Sequence, residues 1–184
     1  MSETYKTFEG KTYFITFSTV EWIDVFTRIA YFELMATSIR HCQQHKGLLL
    51  YCYCIMTNHI HMIASRTEGT LSDLLRDMKS FTAKEMIRTI RNNMKESKKV
   101  WMLEQFSWNG KVSPQEQTYQ FWQHENHPFE IYSPEMFEQK RNYIHENPVR
   151  AGFVDQGWKW RWCSANPESP IIVIDSFNLI SRVY

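Results

Sequence analysis

Residues 57 to 63 read Thr57-Asn58-His59-Ile60-His61-Met62-Ile63. Side chains of a β-strand alternate between faces, so His59 and His61 project the same way, their Cα atoms about 7 Å apart, while Ile60 and Met62 face the opposite side. Two imidazoles that converge on one point are natural ligands for a divalent metal, because each neutral ring offers a lone pair. A solvent-facing strand that holds two histidines has the same pattern. A second candidate lies in SPEMFEQKRNYIHENPVRAG, where Met136, Lys140, Tyr143 and Asn147 follow 4, 3, 4 spacing and share one helical face. Tyr143 and Asn147 are then one turn apart, about 6 Å along the axis. A tyrosine on a helix is most often a core residue with its hydroxyl satisfied by a neighbour. Spacing alone leaves Tyr143 open between packing and nucleophilic chemistry.

A third pattern is electrostatic. Lys84, Arg88, Arg91, Lys95 and Lys98 recur at 4, 3, 4, 3 and would lay five cations along one helical stripe. Between Arg76 and Lys99 there are eight basic and three acidic residues, a local balance of +5 in a chain whose total is +1. Such a stripe is either a solvated helix face or a phosphate-contacting track. Lys140, Arg141 and Arg150 flank the tyrosine and would continue that track.

These residues must be positioned by a core, and 184 residues that are 43% hydrophobic suit one globular domain, 1–184, with 155–184 as a C-terminal tail. No apolar run reaches the length of a membrane span, and the start MSETYKTFEGKTYF has no signal-peptide apolar region, so a cytoplasmic protein is expected. Cys42, Cys52, Cys54 and Cys163 show no paired CxxC spacing and read as small buried hydrophobes. Lys11 to Val20 reads as a first strand, Ile29 to Lys46 as a helix stopped at Gly47, Leu48 to Met56 and His59 to Ser65 as a hairpin, and a second helix begins near Leu71. Strand, helix, strand, strand, helix opens a ferredoxin-like α+β layout, an antiparallel sheet with helices on one face. A further strand to complete the sheet is sought around Gln117 to Trp122 or elsewhere. Residues 95 to 118 read as an irregular connection. A last helix, the one that bears the tyrosine, has Ser133 as N-cap, Pro134 at its first position and Pro148 signalling its close.

Taken together and in order, MTNHIHMI, FWQHENHPFEIYS and NYIHENPVRAGFV resemble the single-tyrosine HUH transposases, above all their REP-associated branch. HUH stands for histidine, a hydrophobic residue and histidine, here His59-Ile60-His61. The resemblance spans residues 11 to about 165 and includes WRWCSA, similar to the family's W-x-x-SSA-like ending. It implies an RRM-like fold and metal-dependent cleavage and rejoining of single-stranded DNA next to hairpins, through a 5′-phosphotyrosine intermediate. By the same resemblance His59 and His61 are ligands for Mg²⁺ or Mn²⁺, Tyr143 is the nucleophile, and Asn147 stands where relatives place a third ligand. Asn147 also precedes Pro148, where it could equally cap the helix. A phenolate is a better leaving group than a sugar alkoxide, so a phosphotyrosine bond stays ready for attack by a second strand without ATP.

The implied partner is single-stranded DNA with hairpins, and the family includes both monomers and homodimers. Trp101, Trp108, Trp122, Trp158, Trp160 and Trp162 are either core or platforms for unpaired bases, with core preferred for Trp122. Two other classes fit the same residues: an RRM-like module that binds hairpins without cutting, and a metal-dependent phosphohydrolase in which water attacks.

Overall fold

The computed structural model describes residues 7–115, 117–124 and 128–174. Four strands, β1 (Thr12–Ser18), β2 (Leu48–Ile55), β3 (His59–Arg66) and β4 (Phe129–Ile131), form one antiparallel sheet in the order β2-β3-β1-β4. Helix α1 (Ile29–His45) links β1 to β2, α2 (Leu71–Asn92) and α3 (Lys99–Val112) follow β3, and α4 (Pro134–Arg150) follows β4. This is the expected ferredoxin-like arrangement with a helix inserted before the last strand.

Strand parity divides the molecule. Tyr13, Ile15 and Phe17 of β1 and Ile60, Met62 and Ala64 of β3 point to one face, where Met35 and Ile39 of α1 and Leu74, Leu75, Met78 and Ile90 of α2 bury them in the main core. The other parity of β3 faces α4, whose Phe137 and Ile144 pack with Cys52, Cys54, Ile63 and Cys163 in a smaller core. A bulge between Leu50 and Cys52 shifts the phase of β2 by one residue, so that Leu48 and Leu50 before it and Tyr53 and Ile55 after it all reach the main core. All four cysteines are buried free thiols, as read from the sequence.

Two expectations are corrected, and the strand left open is placed. Residues 99–112 form a helix rather than irregular chain; its buried residues Met102, Phe106 and Gly110 make one narrow stripe, and exposed Val100, Trp101, Trp108 and Val112 erase the amphipathic signal. The fourth strand is Phe129–Ile131, three residues long and too short for an alternation to be read, whereas Trp122 makes only an isolated bridge to Thr19. Helix α4 continues through Pro148 to Arg150, and Ala151 closes it by donating to the Asn147 carbonyl. Proline this close to a helix end removes one donor and leaves the last turn intact.

The residues after α4 fold back on the sheet. The Ile55 amide donates to the Trp162 carbonyl, Ser164 donates to Tyr53 and Ile174 donates to Leu50, so this segment lies along the outer edge of β2. Of the tail 155–184, residues 175–184 lie outside the described residues. Among the described residues no helix is long and apolar enough to cross a membrane.

Candidate active site

Parity puts His59 and His61 together on the α4 face, their ring centroids 4.7 Å apart. Both rings are held from behind. His61 Nδ1 lies 2.7 Å from Thr16 Oγ1, directly across on β1, and His59 Nδ1 lies 2.7 Å from Asn58 Oδ1. The Asn58 amide nitrogen is committed to Asp24 Oδ1 at 2.9 Å and to the Trp22 carbonyl at 3.2 Å, so its oxygen accepts from His59 and that ring keeps a lone pair on Nε2. An oxygen partner on one ring nitrogen fixes the orientation of the other, the pattern that supports metal-binding histidines.

Helix α4 lies across this pair. Its start is set by Ser133, which accepts from the Met136 amide, and by Pro134 in the first turn. The Tyr143 ring stands edge-on to His61 at 5.2 Å and to Phe14 at 5.9 Å, and 40% of the residue remains exposed. One turn on, Asn147 lies close enough to His59 for its side-chain amide to raise that ring's pKa against burial. Asn147 is therefore inside the helix with its amide turned to the histidines, and Ala151 takes the capping position.

Burial pushes the pKa of His61 down to about 3, helped by the neighbouring His59, Arg150 and Lys140; burial also lowers that of His59, opposed by the nearby Asn147 amide. Both rings are neutral near pH 7, the form that can donate a lone pair to a metal. Two imidazoles and an amide oxygen fit a divalent cation of the Mg²⁺ or Mn²⁺ type in donor chemistry. Among the described residues no group of three or more His, Cys, Asp or Glu side chains is placed to hold a metal, so the third protein donor would have to be that amide.

Two cations border the phenol. The Arg150 guanidinium lies 4.3 Å over the Tyr143 ring and donates to the Tyr143 carbonyl at 2.7 Å, and the Lys140 ammonium sits 4.7 Å from the Phe14 ring. Arg141 turns away, pairing with Glu138 and helping burial lower His145 to about 4. The stripe predicted on the second helix is broken: α2 ends at Asn92, so Lys84, Arg88 and Arg91 lie on it while Lys95 and Lys98 follow in the turn beyond. Asn93 leaves the helical backbone and its side chain accepts from the Lys95 amide, which ends the periodicity. Because α2 packs on the main-core face, this cluster lies on the opposite side of the sheet from the histidines. Lys84, Arg88 and Arg91 instead line a groove of about 1520 Å³ between α2 and residues 114–115 and 117–124 that contains none of His59, His61, Tyr143 or Asn147.

Thr16, Asn58, Phe14 and Trp22 were not singled out from the sequence. Asn58 adjoins His59, and Thr16 falls on the polar parity of TYFITFS, which is the only local signal for either. Trp122 is core, donating to Thr82, and Trp162 stacks on Phe32 at 4.7 Å; Trp160 donates to the Ile55 carbonyl, and Trp101, Trp108 and Trp158 are exposed.

No protein-family model matches this chain, and no curated protein does. Among solved structures it is similar to a REP-associated tyrosine transposase bound to a REP hairpin, with a TM-score of 0.63 and 17% identity over 89% of this chain and 82% of that one. The chain has the fold of that transposase. A protein of Deinococcus radiodurans described as a candidate transposase is also similar, with a TM-score of 0.46 and 17% identity over 79% of this chain and 94% of that one.

Proposed function

We propose that this chain, as a single domain of residues 1–184, is a metal-dependent single-tyrosine transposase of the HUH type, nearest in kind to the REP-associated branch. It cleaves and rejoins single-stranded DNA beside hairpins. The observation that carries this reading is the convergence of His59, His61, Tyr143 and Asn147 on one face, from segments some eighty residues apart in sequence. The shared fold with a hairpin-bound transposase supports it.

In this reading His59, His61 and the Asn147 amide oxygen hold Mg²⁺ or Mn²⁺. A bound divalent cation would neutralise and orient the scissile phosphate. The chain's own groups do the rest. Tyr143 Oη gives up its proton and bonds to phosphorus, the phosphorus–O3′ bond breaks, and the 3′ oxygen leaves as a hydroxyl after taking up a proton. The 5′ phosphate stays on Tyr143 until the 3′ hydroxyl of another strand reverses the step. Arg150 and Lys140 supply positive charge beside the phenol, where the phosphate's charge must be accommodated. Lys84, Arg88, Arg91, Lys95, Lys98 and Arg141 contact phosphates farther along the DNA.

Trapping a covalent adduct tests the reading. The purified protein is mixed with hairpin-bearing oligonucleotides with randomised single-stranded flanks, in Mn²⁺ or in chelator, and denatured. The expected result is a metal-dependent protein–DNA band that maps by peptide analysis to Tyr143. Binding without an adduct would establish a non-cutting module instead, and multiple-turnover hydrolysis without one would establish a phosphohydrolase.

A further inference from the structure

On the side of His59 away from His61 stands Trp22. Its ring is edge-on to His59 at 5.6 Å, and 53% of the residue is exposed. The backbone that presents it is costly: Glu21 and Trp22 have φ of +51° and +53°, consecutive left-handed residues with side chains that favour neither. Surrounding bonds hold them there. The Trp22 amide donates to the Thr19 carbonyl at 3.1 Å, its carbonyl accepts from Asn58 Nδ2, and Thr19 Oγ1 donates to the Ile23 carbonyl at 2.8 Å. Asn58 thus joins the tryptophan loop to the His59 ring.

A strained backbone that ended in a buried indole would be explained by packing. Here it ends in a ring left half in water, next to the proposed reaction centre. The rings of Trp22, His59, His61 and Tyr143 form a continuous row, with Arg150 and Lys140 at the tyrosine end. Among the described residues no Lys or Arg side chain lies over the Trp22 ring, and a flat apolar ring at the far end of such a row suits a flat apolar ligand rather than a phosphate.

We infer that Trp22 is a stacking platform for an unpaired base of the strand being cut, a nucleotide beside the scissile phosphate. This rests on the single-stranded DNA reading above. With the phosphate between Tyr143 and the histidines, the strand continues over His59 and lays its next base on the indole. Stacking makes no hydrogen bonds to a base edge, so the platform fixes where the strand lies and accepts any of the four bases. The left-handed loop, tied through Asn58, holds this platform at a set distance from His59.

The test uses Tyr143→Phe as a background that binds without cutting, and adds Trp22→Gly. Glycine takes the left-handed conformation freely, so this change removes the ring without straining the loop. Asparagine also tolerates it, and Trp22→Asn serves as a second variant. Oligonucleotides that wild type converts to adduct carry 2-aminopurine at one flanking position at a time. The parent is expected to quench one flanking position. Both Trp22 variants should lose that quench and bind roughly five- to one-hundred-fold more weakly, as for one stacked base, with Trp22→Phe keeping part of each effect. Binding within about twofold of the parent and an unchanged 2-aminopurine profile in either folded variant would overturn the inference while leaving the adduct chemistry standing. Absence of both adduct and binding in wild type would take down the transposase reading and this inference with it.

Discussion

The two faces of the sheet are made from the same strands and do opposite work. On the α1/α2 face Ile60, Met62 and Ala64 meet aliphatic and aromatic side chains, and the contacts are interchangeable in kind. On the α4 face His59 and His61, from the same eight residues, meet Thr16, Asn58, Asn147 and Tyr143, each with a specific polar or ring contact. In the proposed function, stability and chemistry are separated by parity rather than by region. A substitution at an even position of β3 and one at an odd position should fail in different ways.

The largest separation is expected at the proposed reaction centre. Tyr143→Phe should leave no detectable adduct while melting and DNA binding stay close to wild type, because one hydroxyl is lost and almost no volume. An adduct that persists in this variant would move the nucleophile elsewhere, with Tyr132, 78% exposed just before α4, examined next by the same peptide mapping. His59→Ala or His61→Ala should likewise abolish metal-dependent cleavage and leave the fold in place, as read by circular dichroism. Collapse of the fold would make the histidines structural and erase the contrast between faces.

The opposite face should invert that pattern. Met62→Ala removes a wholly buried side chain from the main core and should cost about 2–5 kcal/mol in urea unfolding, while the molecules that remain folded still form adduct. A smaller effect is expected at Glu96, the one buried carboxylate among the described residues, which accepts from Arg28 Nε at 2.6 Å, Tyr31 and the Lys98 amide. Burial acts to raise its pKa, yet these donors prevail and hold it below the usual 4.5. A depressed carboxylate stabilises the fold above its unfolded value and ceases to as pH falls through the folded one. Glu96→Gln should thus lose about 2 kcal/mol at pH 7, limited because Arg28 is partly solvated, and the gap from wild type should close on acidification below the usual carboxylate range. A gap that stays constant with pH would mean the charge is immaterial.

The smallest effect is expected from the cations of the far side. Each phosphate contact on a single strand contributes about −0.7 to the slope of log affinity against log salt, so Arg88→Ala with Arg91→Ala should flatten it by roughly 1.4. Adduct formation at saturating DNA should survive. An unchanged slope would make the α2 groove a solvated face and leave Lys140 and Arg150 as the DNA track.

How far the sequence could be read follows from the range of each interaction. The histidine pair, the helix start at Ser133-Pro134 and the long periodic helices are local patterns, and the structure has them where the periodicity puts them. Lys95 and Lys98 kept helical spacing past a helix that had ended, because Asn93 turns the backbone through a contact that spacing does not encode. Thr16 behind His61 and Trp22 beside His59 depend on the register of β1 against β3 and on a left-handed loop, neither of which leaves a period in the chain. Asn147 read equally as a cap or a ligand; the helix runs past Pro148 and Ala151 takes the cap, which removes the capping role and leaves the ligand role to the proposed function.

An open four-stranded sheet has two borders, and each is a template on which another chain can add a strand. Along β4 the border is only three residues long. Along β2 it is eight, and there the segment from Trp162 to Ile174 occupies the hydrogen-bonding groups of Leu50, Tyr53 and Ile55. Residues 162–174 thus cover an edge that would otherwise invite strand addition. A chain cut short before Trp160 would keep its histidines and tyrosine and expose a sticky hydrophobic margin, so its failure in the cell would come through aggregation before any loss of chemistry.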